Sequence, residues 1–177
     1  MRKRRLGKGY VQIYTGDGKG KTTAALGLAL RASGSGLRTY IGQFMKGQKY
    51  SELDALSEIP AITIEQYGDV RCIRREEVTP SHIEQGRVGL ARALEVMLSG
   101  EYDIIVLDEA NVAIWFGILD LEDVLSLLDQ RPGSVEVILT GRRAPQELVD
   151  RADLVTEMRE IKHYYVQGVE ARLGIER

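Results

Sequence analysis

The stretch Thr15-Gly16-Asp17-Gly18-Lys19-Gly20-Lys21-Thr22-Thr23 limits what this chain can fold into more than any other segment. It lies between a β-rich run over 10–14 and a run of helical character over 24–33. Strand, glycine-rich turn and helix in that order make a phosphate-binding loop. Glycines let the backbone turn tightly and aim successive N–H groups at phosphate oxygens. The helix adds the positive end of its dipole. In such a loop Lys21 reaches the β- and γ-phosphates of a nucleotide, and the Thr22 hydroxyl ligates Mg²⁺. All nine residues are candidate nucleotide ligands. The loop departs from the usual G-x-x-x-x-G-K-[ST] spacing: Thr15 stands at the first glycine position, Gly16 comes one residue late, and Lys19 adds a second positive charge.

Around the loop, extended apolar runs alternate with helical ones. The pattern predicts strands over 10–14, 38–44, 61–66, 103–107, 135–139 and 154–158. Helices are predicted over 22–33, 52–57, 121–128 and 145–151, with a long one starting at Pro80. This is an α/β, P-loop NTPase-like fold: a mostly parallel sheet with helices on both faces. Ile104-Ile105-Val106-Leu107 is apolar throughout, as a central strand covered on both faces should be. Ligands of such sheets bind beyond the carboxyl ends of the strands, so the site is expected near Thr15, Asp108 and Thr140.

A length of 177 residues suits a single nucleotide-binding domain, read as 10–177 behind a basic tail over 1–9. No apolar run approaches membrane-spanning length and no signal peptide is evident, so a cytoplasmic protein without membrane contact is expected. A lone cysteine, Cys72, excludes an internal disulfide and suits a reducing compartment. With only His82 and His163 beside it, a Cys/His metal cluster is excluded too. A net charge of −2 argues against a nucleic-acid partner. Arg2-Lys3-Arg4-Arg5 is either a solvated tail, a polyanion contact or a contact with a partner subunit.

The second half of the site is Ile104-Ile105-Val106-Leu107-Asp108-Glu109, an apolar strand delivering an acid to its carboxyl end. There Asp108 can hold Mg²⁺ directly or through water. Glu109 either orients an attacking water or serves as a further metal ligand, and either acid can also cap the next helix. Arg142 and Arg143 follow the fifth strand, where an arginine either pairs with a phosphate oxygen or is plain surface. Lys21, Thr22, Asp108 and Glu109 are thus the expected catalytic group, Thr22, Asp108 and Glu109 the metal group, and Arg142 an added ATP contact.

Several segments together resemble the ATP:corrinoid adenosyltransferases of the cobalamin pathway, the cob(I)yrinic acid a,c-diamide type. They are the variant loop, Ile41-Gly42-Gln43-Phe44-Met45-Lys46-Gly47, Leu107-Asp108-Glu109-Ala110-Asn111, Arg131-Pro132, and Val135 through Arg142. Ala144-Pro145, Ala152 through Met158, Lys162-His163 and Gly174-Ile175-Glu176 continue the likeness over nearly the whole chain. The resemblance implies transfer of the 5′-deoxyadenosyl group of ATP to a Co(I) corrinoid with intact triphosphate leaving, ATP bound in an unusual orientation, a flavoprotein reductant and a homodimer. Lys19, Lys21, backbone N–H groups and Mg²⁺ would stabilise the anionic leaving group, and Lys46 is a further candidate for that pocket. A plain ATPase or kinase, or an ATP-binding module without turnover, are the alternatives.

The chain departs from the resemblance in one place. A Gly-Phe-Thr-Trp-like segment is expected after the third strand, with aromatics beneath the corrin. Here Gly68-Asp69-Val70-Arg71-Cys72-Ile73 stands there, with Arg71 and Ile73 at the aromatic positions. Gly68, Arg71 and Ile73 are therefore the expected corrinoid-facing residues, and Tyr67, Trp115 and Phe116 the alternative aromatics.

Overall fold

A computed structural model describes residues 6–176; the basic run 2–5 lies outside the described residues. The order is β1 (Val11–Thr15), α1 (Lys21–Gly34), β2 (Thr39–Phe44), α2 (Ser51–Ser57), β3 (Ile62–Tyr67), α3 (Pro80–Leu98), β4 (Ile104–Asp108), α4 (Ala110–Phe116), α5 (Leu121–Asp129), β5 (Glu136–Thr140), α6 (Gln146–Arg151) and β6 (Leu154–Glu157). All six strands form one sheet in the order β3-β2-β4-β5-β1-β6, and every pairing is parallel.

Alternation along the strands builds two cores. One face carries Tyr40, Phe44, Ile105, Leu107, Val137 and Leu139 against α3, α4 and α5. The other carries Ile41, Val106 and Ile138 against α1 and α2. Helix α1 buries Ala25, Ala29 and Ala32 at helical spacing, so small side chains seat it close on the sheet. At the amino end of the sheet, buried acids satisfy strand N–H groups: Glu136 accepts from Tyr10 N at 2.7 Å and Asp103 from Arg38 N at 2.9 Å.

Two differences from the predicted elements matter for the site. Strands β4 and β5 each run one residue further, so Asp108 and Thr140 are themselves the last strand residues. Helix α4 has no clear sequence signal: its seven residues include Val, Ile, Trp and Phe, which favour strands. It starts from Glu109 in left-handed conformation (φ 61°) without a side-chain cap and stops at Gly117 (φ 74°). Tertiary packing of Ala110 and Ala113 into the core overrides that propensity.

Candidate functional site

The phosphate loop joins the carboxyl end of β1 to the first turn of α1. Thr15 pairs in register with Glu157 of β6, and its hydroxyl accepts from Ala144 N at 3.3 Å. A ladder residue has no need of glycine's freedom, which explains the altered spacing. The turn begins one residue later at Gly16, with φ 90°. Gly16 also packs against the Met158 carbonyl so closely that a Cβ would collide with it. That carbonyl accepts from Gly18 N at 2.7 Å, so the segment after β6 braces the loop.

Lys21 is buried, and its ammonium folds back to donate to the carbonyls of Gly16 (2.8 Å) and Gly18 (2.7 Å). Burial lowers its pKa. The other predicted components converge on Asp108, whose exposure is 0%. Its Oδ1 accepts from the Thr22 hydroxyl at 2.8 Å and the Thr140 hydroxyl at 2.7 Å. Its Oδ2 accepts from Lys46 Nζ at 2.8 Å and Gln43 Nε2 at 3.0 Å. Burial alone would raise this carboxyl's pKa, but Lys46 and the two hydroxyls outweigh it and hold the group ionised. The same contact reverses the effect of burial on Lys46, whose pKa is raised.

Gln43 extends the network, accepting at Oε1 from Gln66 at 3.0 Å. Register places Gln66, Gln43 and Asp108 side by side on β3, β2 and β4. Gln43 is a functional neighbour that spacing along the chain does not reveal, because it meets Asp108 only through strand pairing; Thr140, expected at the site as a strand end, bonds Asp108 directly. Glu109 follows with its backbone N–H on the Thr140 hydroxyl at 2.9 Å. Its pKa is raised by burial and by the adjacent Asp108 charge.

Strain concentrates here. The non-glycine residues with positive φ among the described residues are Met45 (58°), Glu109 (61°) and Arg143 (58°). They lie just past the carboxyl ends of β2, β4 and β5, where such conformations are held by the surrounding packing.

The remaining predicted residues are less tightly gathered. Arg142 is exposed and approaches Asp17 of the loop at 3.9 Å. Lys19 points away from Lys21 and meets the C-terminal segment, bonding Glu176 (2.7 Å), the Tyr164 hydroxyl (3.1 Å) and the Ile175 carbonyl (3.2 Å). Hydrogen bonds from Arg172, Lys19 and the Tyr164 hydroxyl hold the Glu176 carboxyl well below the usual range. His163, Gly174, Ile175 and Glu176 therefore wall one side of a cavity of about 780 Å³. The loop, Lys46, Glu109 and Arg142 form its floor, and Leu26, Leu30, Tyr50 and Leu56 of the α1–α2 side complete it. Its size lies in the range of roughly 300–1,000 Å³ usual for small-molecule sites.

Segment 68–79 leaves β3 beside Lys46. Gly47 and Gly68 pack backbone to backbone, leaving no room for a Cβ on either. Arg71 pairs with Glu77 at 3.2 Å on the surface. Ile73 turns inward against the core with Tyr67 and Met45. Phe116 likewise packs into that core, whereas Trp115 beside it is 37% exposed.

The sequence profile of the ATP:corrinoid adenosyltransferase BtuR/CobO/CobP family matches residues 7–177. The corrinoid adenosyltransferase CobA of Salmonella typhimurium is 35% identical over 172 residues, covering 96% of this chain and 86% of that protein. The corrinoid adenosyltransferase of Escherichia coli K12 is 33% identical over 174 residues, with the same two coverages of 96% and 86%. That of Pseudomonas aeruginosa is 30% identical over 171 residues, covering 96% and 84%.

Proposed function

The chain belongs to the ATP:corrinoid adenosyltransferase family, and on that footing we propose that it transfers the 5′-deoxyadenosyl group of ATP to the cobalt of a reduced corrinoid. The cobalt(I) lone pair attacks C5′, the C5′–oxygen bond breaks, and its electron pair leaves with intact triphosphate. No proton moves in that step, so the protein's task is orientation and stabilisation of growing negative charge. The observation that carries the reading is the variant loop set against a buried Asp108 already holding Thr22 and Lys46.

In this reading Lys21 exchanges the loop carbonyls for phosphate oxygens. The N–H groups of the loop and the start of α1 line the triphosphate. Lys46 lies 2.8 Å from Asp108 and 3.4 Å from the Thr22 hydroxyl, within reach of the same anion. Arg142 closes from the far side of the loop.

The donor set fits Mg²⁺: one buried carboxylate and one hydroxyl, both hard oxygens, 2.8 Å apart. The described residues contain no group of three or more His, Cys, Asp or Glu that would hold a metal by protein ligands alone. Mg²⁺ typically takes one or two carboxylates and draws the rest from phosphates and water. Asp108 and Thr22 would hold it, with Glu109 close by, and when bound it would neutralise phosphate charge.

A homodimer, a flavoprotein reductant and a cytoplasmic location complete the proposal. The described helices include none long and apolar enough to cross a membrane. The test is incubation with ATP, Mg²⁺ and a chemically reduced corrinoid, followed by ³¹P NMR and absorption spectroscopy. Triphosphate in step with a cobalt–carbon product is expected. ADP with inorganic phosphate and no such product would overturn the assignment.

A further inference from the structure

The donors to Asp108 divide into two kinds. Thr22 on Oδ1 and Lys46 on Oδ2 line the large cavity. Thr140 on Oδ1 and Gln43 on Oδ2 are fully buried at the ends of β5 and β2. The first pair can change partners when a ligand enters the cavity. The second pair stays within the sheet, so each carboxylate oxygen keeps one permanent donor.

Of the permanent donors, Gln43 is the one that can point the wrong way. A hydroxyl rotates its proton toward whatever acceptor lies near, whereas an amide carries donor and acceptor on separate arms. Half a turn of the Gln43 amide would set its oxygen against Asp108 Oδ2, acceptor against acceptor. Its direction is fixed from the next strand. Gln66 Nε2 donates to Gln43 Oε1 at 3.0 Å and to the Gln48 backbone carbonyl at 3.0 Å. A backbone carbonyl only accepts, and so does an ionised carboxylate. Two amides therefore run head to tail between two groups that only accept, and a single orientation satisfies both ends. The parallel register of β3, β2 and β4 sets the two glutamines in line with Asp108. Gln48 lies in the loop after β2 that also carries Lys46, so Gln66 is anchored outside the amide chain it directs.

We propose that Gln66 is a positioning residue for the metal–nucleotide site: acting through Gln43, it holds the Asp108 carboxylate in place while Lys46 and Thr22 change partners. The inference rests on the ATP and Mg²⁺ part of the proposed function and is independent of the corrinoid. Groups that orient a metal ligand typically contribute about 10–100-fold to metal affinity. Gln66 stands one bond further out than Gln43, which places it at the lower end of that range.

Isothermal titration calorimetry of ATP, with Mg²⁺ and with a chelator in its place, tests the role in wild type, Gln66→Leu, Gln66→Glu, Gln43→Met and the Gln43→Met/Gln66→Leu double variant. Gln66→Leu should raise the ATP Kd in Mg²⁺ roughly tenfold. In chelator its Kd should stay within about twofold of wild type, because the phosphate loop itself is untouched. Gln66→Glu, at about pH 8 where a carboxylate is ionised, should weaken binding in Mg²⁺ at least as much. Its new acceptor competes with Asp108 for the Gln43 NH₂, whereas added negative charge by itself would tighten cation binding. In the Gln43→Met background, Gln66→Leu should add less than about a twofold change, since the residue through which it acts is gone. Equal losses with and without Mg²⁺, tighter binding by Gln66→Glu, or effects of Gln43→Met and Gln66→Leu that simply multiply would overturn the positioning role. The two readings fail separately. A wild-type ATP affinity indifferent to Mg²⁺ removes the metal site and the role of Gln66 with it. A Mg²⁺-dependent affinity that Gln66→Leu retains removes the role of Gln66 alone.

Discussion

Replacing Lys46 by methionine keeps a long side chain but removes the only ion-pair partner of Asp108 among the described residues. Stranding one member of a buried pair usually costs about 3–5 kcal/mol. Here Asp108 keeps its bonds from Thr22, Gln43 and Thr140, and the Lys46 side chain is 15% exposed. Both facts place the loss at or below the lower end, about 2–3 kcal/mol. At about 2–4 °C per kcal/mol for a chain of this size, the melting temperature should fall by roughly 5–10 °C. Thermal melts of wild type, Lys46→Met, Asp108→Asn and the double variant measure it. The double variant has no stranded charge, so it should melt above Lys46→Met. Mg²⁺ without nucleotide should raise the melting temperature of Lys46→Met more than that of wild type, because the ammonium no longer holds the carboxylate. A Lys46→Met protein within 1 °C of wild type, or two costs that simply add, would refute the reasoning.

Lys21→Ala should slow transfer by on the order of 10²-fold or more, since it removes a charge that grows in value as triphosphate leaves; single-turnover kinetics on folded protein checks this. Segment 68–79 should gain hydrogen-exchange protection on corrinoid binding, with unchanged exchange counting against its contact with substrate. Glu65 and Tyr67 set a pH dependence of stability. Burial raises the Glu65 pKa, but hydrogen bonds from Tyr67 and Tyr40 and the charge of Arg92 more than offset it and hold it low. Its stabilisation is therefore present above the usual carboxylate pKa and lost as pH falls through the folded value. Burial and Glu65 push Tyr67 up to about 12, so that contribution is lost as pH rises from about 10 toward 12. Melts across pH should show Glu65→Gln flattening the acid limb and Tyr67→Phe the alkaline one.

What could be read from the chain was local. The phosphate loop is contiguous, and its position between one strand and one helix follows from the sequence, whereas the direction of Lys19 does not. Asp108 was legible for the same reason: four aliphatic residues deliver it to a strand end. The site's remaining members meet through pairings that no spacing encodes. Gln43 reaches Asp108 only because β2 lies beside β4; Thr140, legible as the end of the fifth strand, gains its bond to Asp108 because β5 lies on the other side. Lys19 finds Glu176 across 157 positions, because the segment after β6 folds back over the loop. Helix α4 was hidden by its own residues, whose β-branched and aromatic side chains argue locally for a strand. Arg71 and Ile73, flagged by position, diverge: one pairs on the surface with Glu77 and the other packs inward. The exposed aromatic beside that segment is Trp115, from an element 40 residues later in the sequence.

The three lysines of the site share one feature that bears on how an anion would enter. Lys21 rests on two backbone carbonyls, Lys46 on the Asp108 carboxylate, and Lys19 on Glu176. Each cation is thus already matched to a protein oxygen at hydrogen-bond distance. Bringing in triphosphate replaces these oxygens with phosphate oxygens and exposes few new charges to an apolar surrounding. The replaced acceptors differ in what they can then do. Freed carbonyls of Gly16 and Gly18 can turn to water, whereas a freed Asp108 remains buried and needs a new cation. In the proposed reaction, Mg²⁺ arriving with the nucleotide supplies that charge, and Thr22 is already placed beside it. Glu176 keeps Arg172 when Lys19 departs, through bonds of 2.9 Å from the Arg172 backbone N–H and 3.2 Å from its guanidinium. Release of Lys19 therefore leaves no unpaired carboxylate. Exchange at Lys19 is the least costly of the three, and exchange at Lys46 is the step that couples metal to nucleotide.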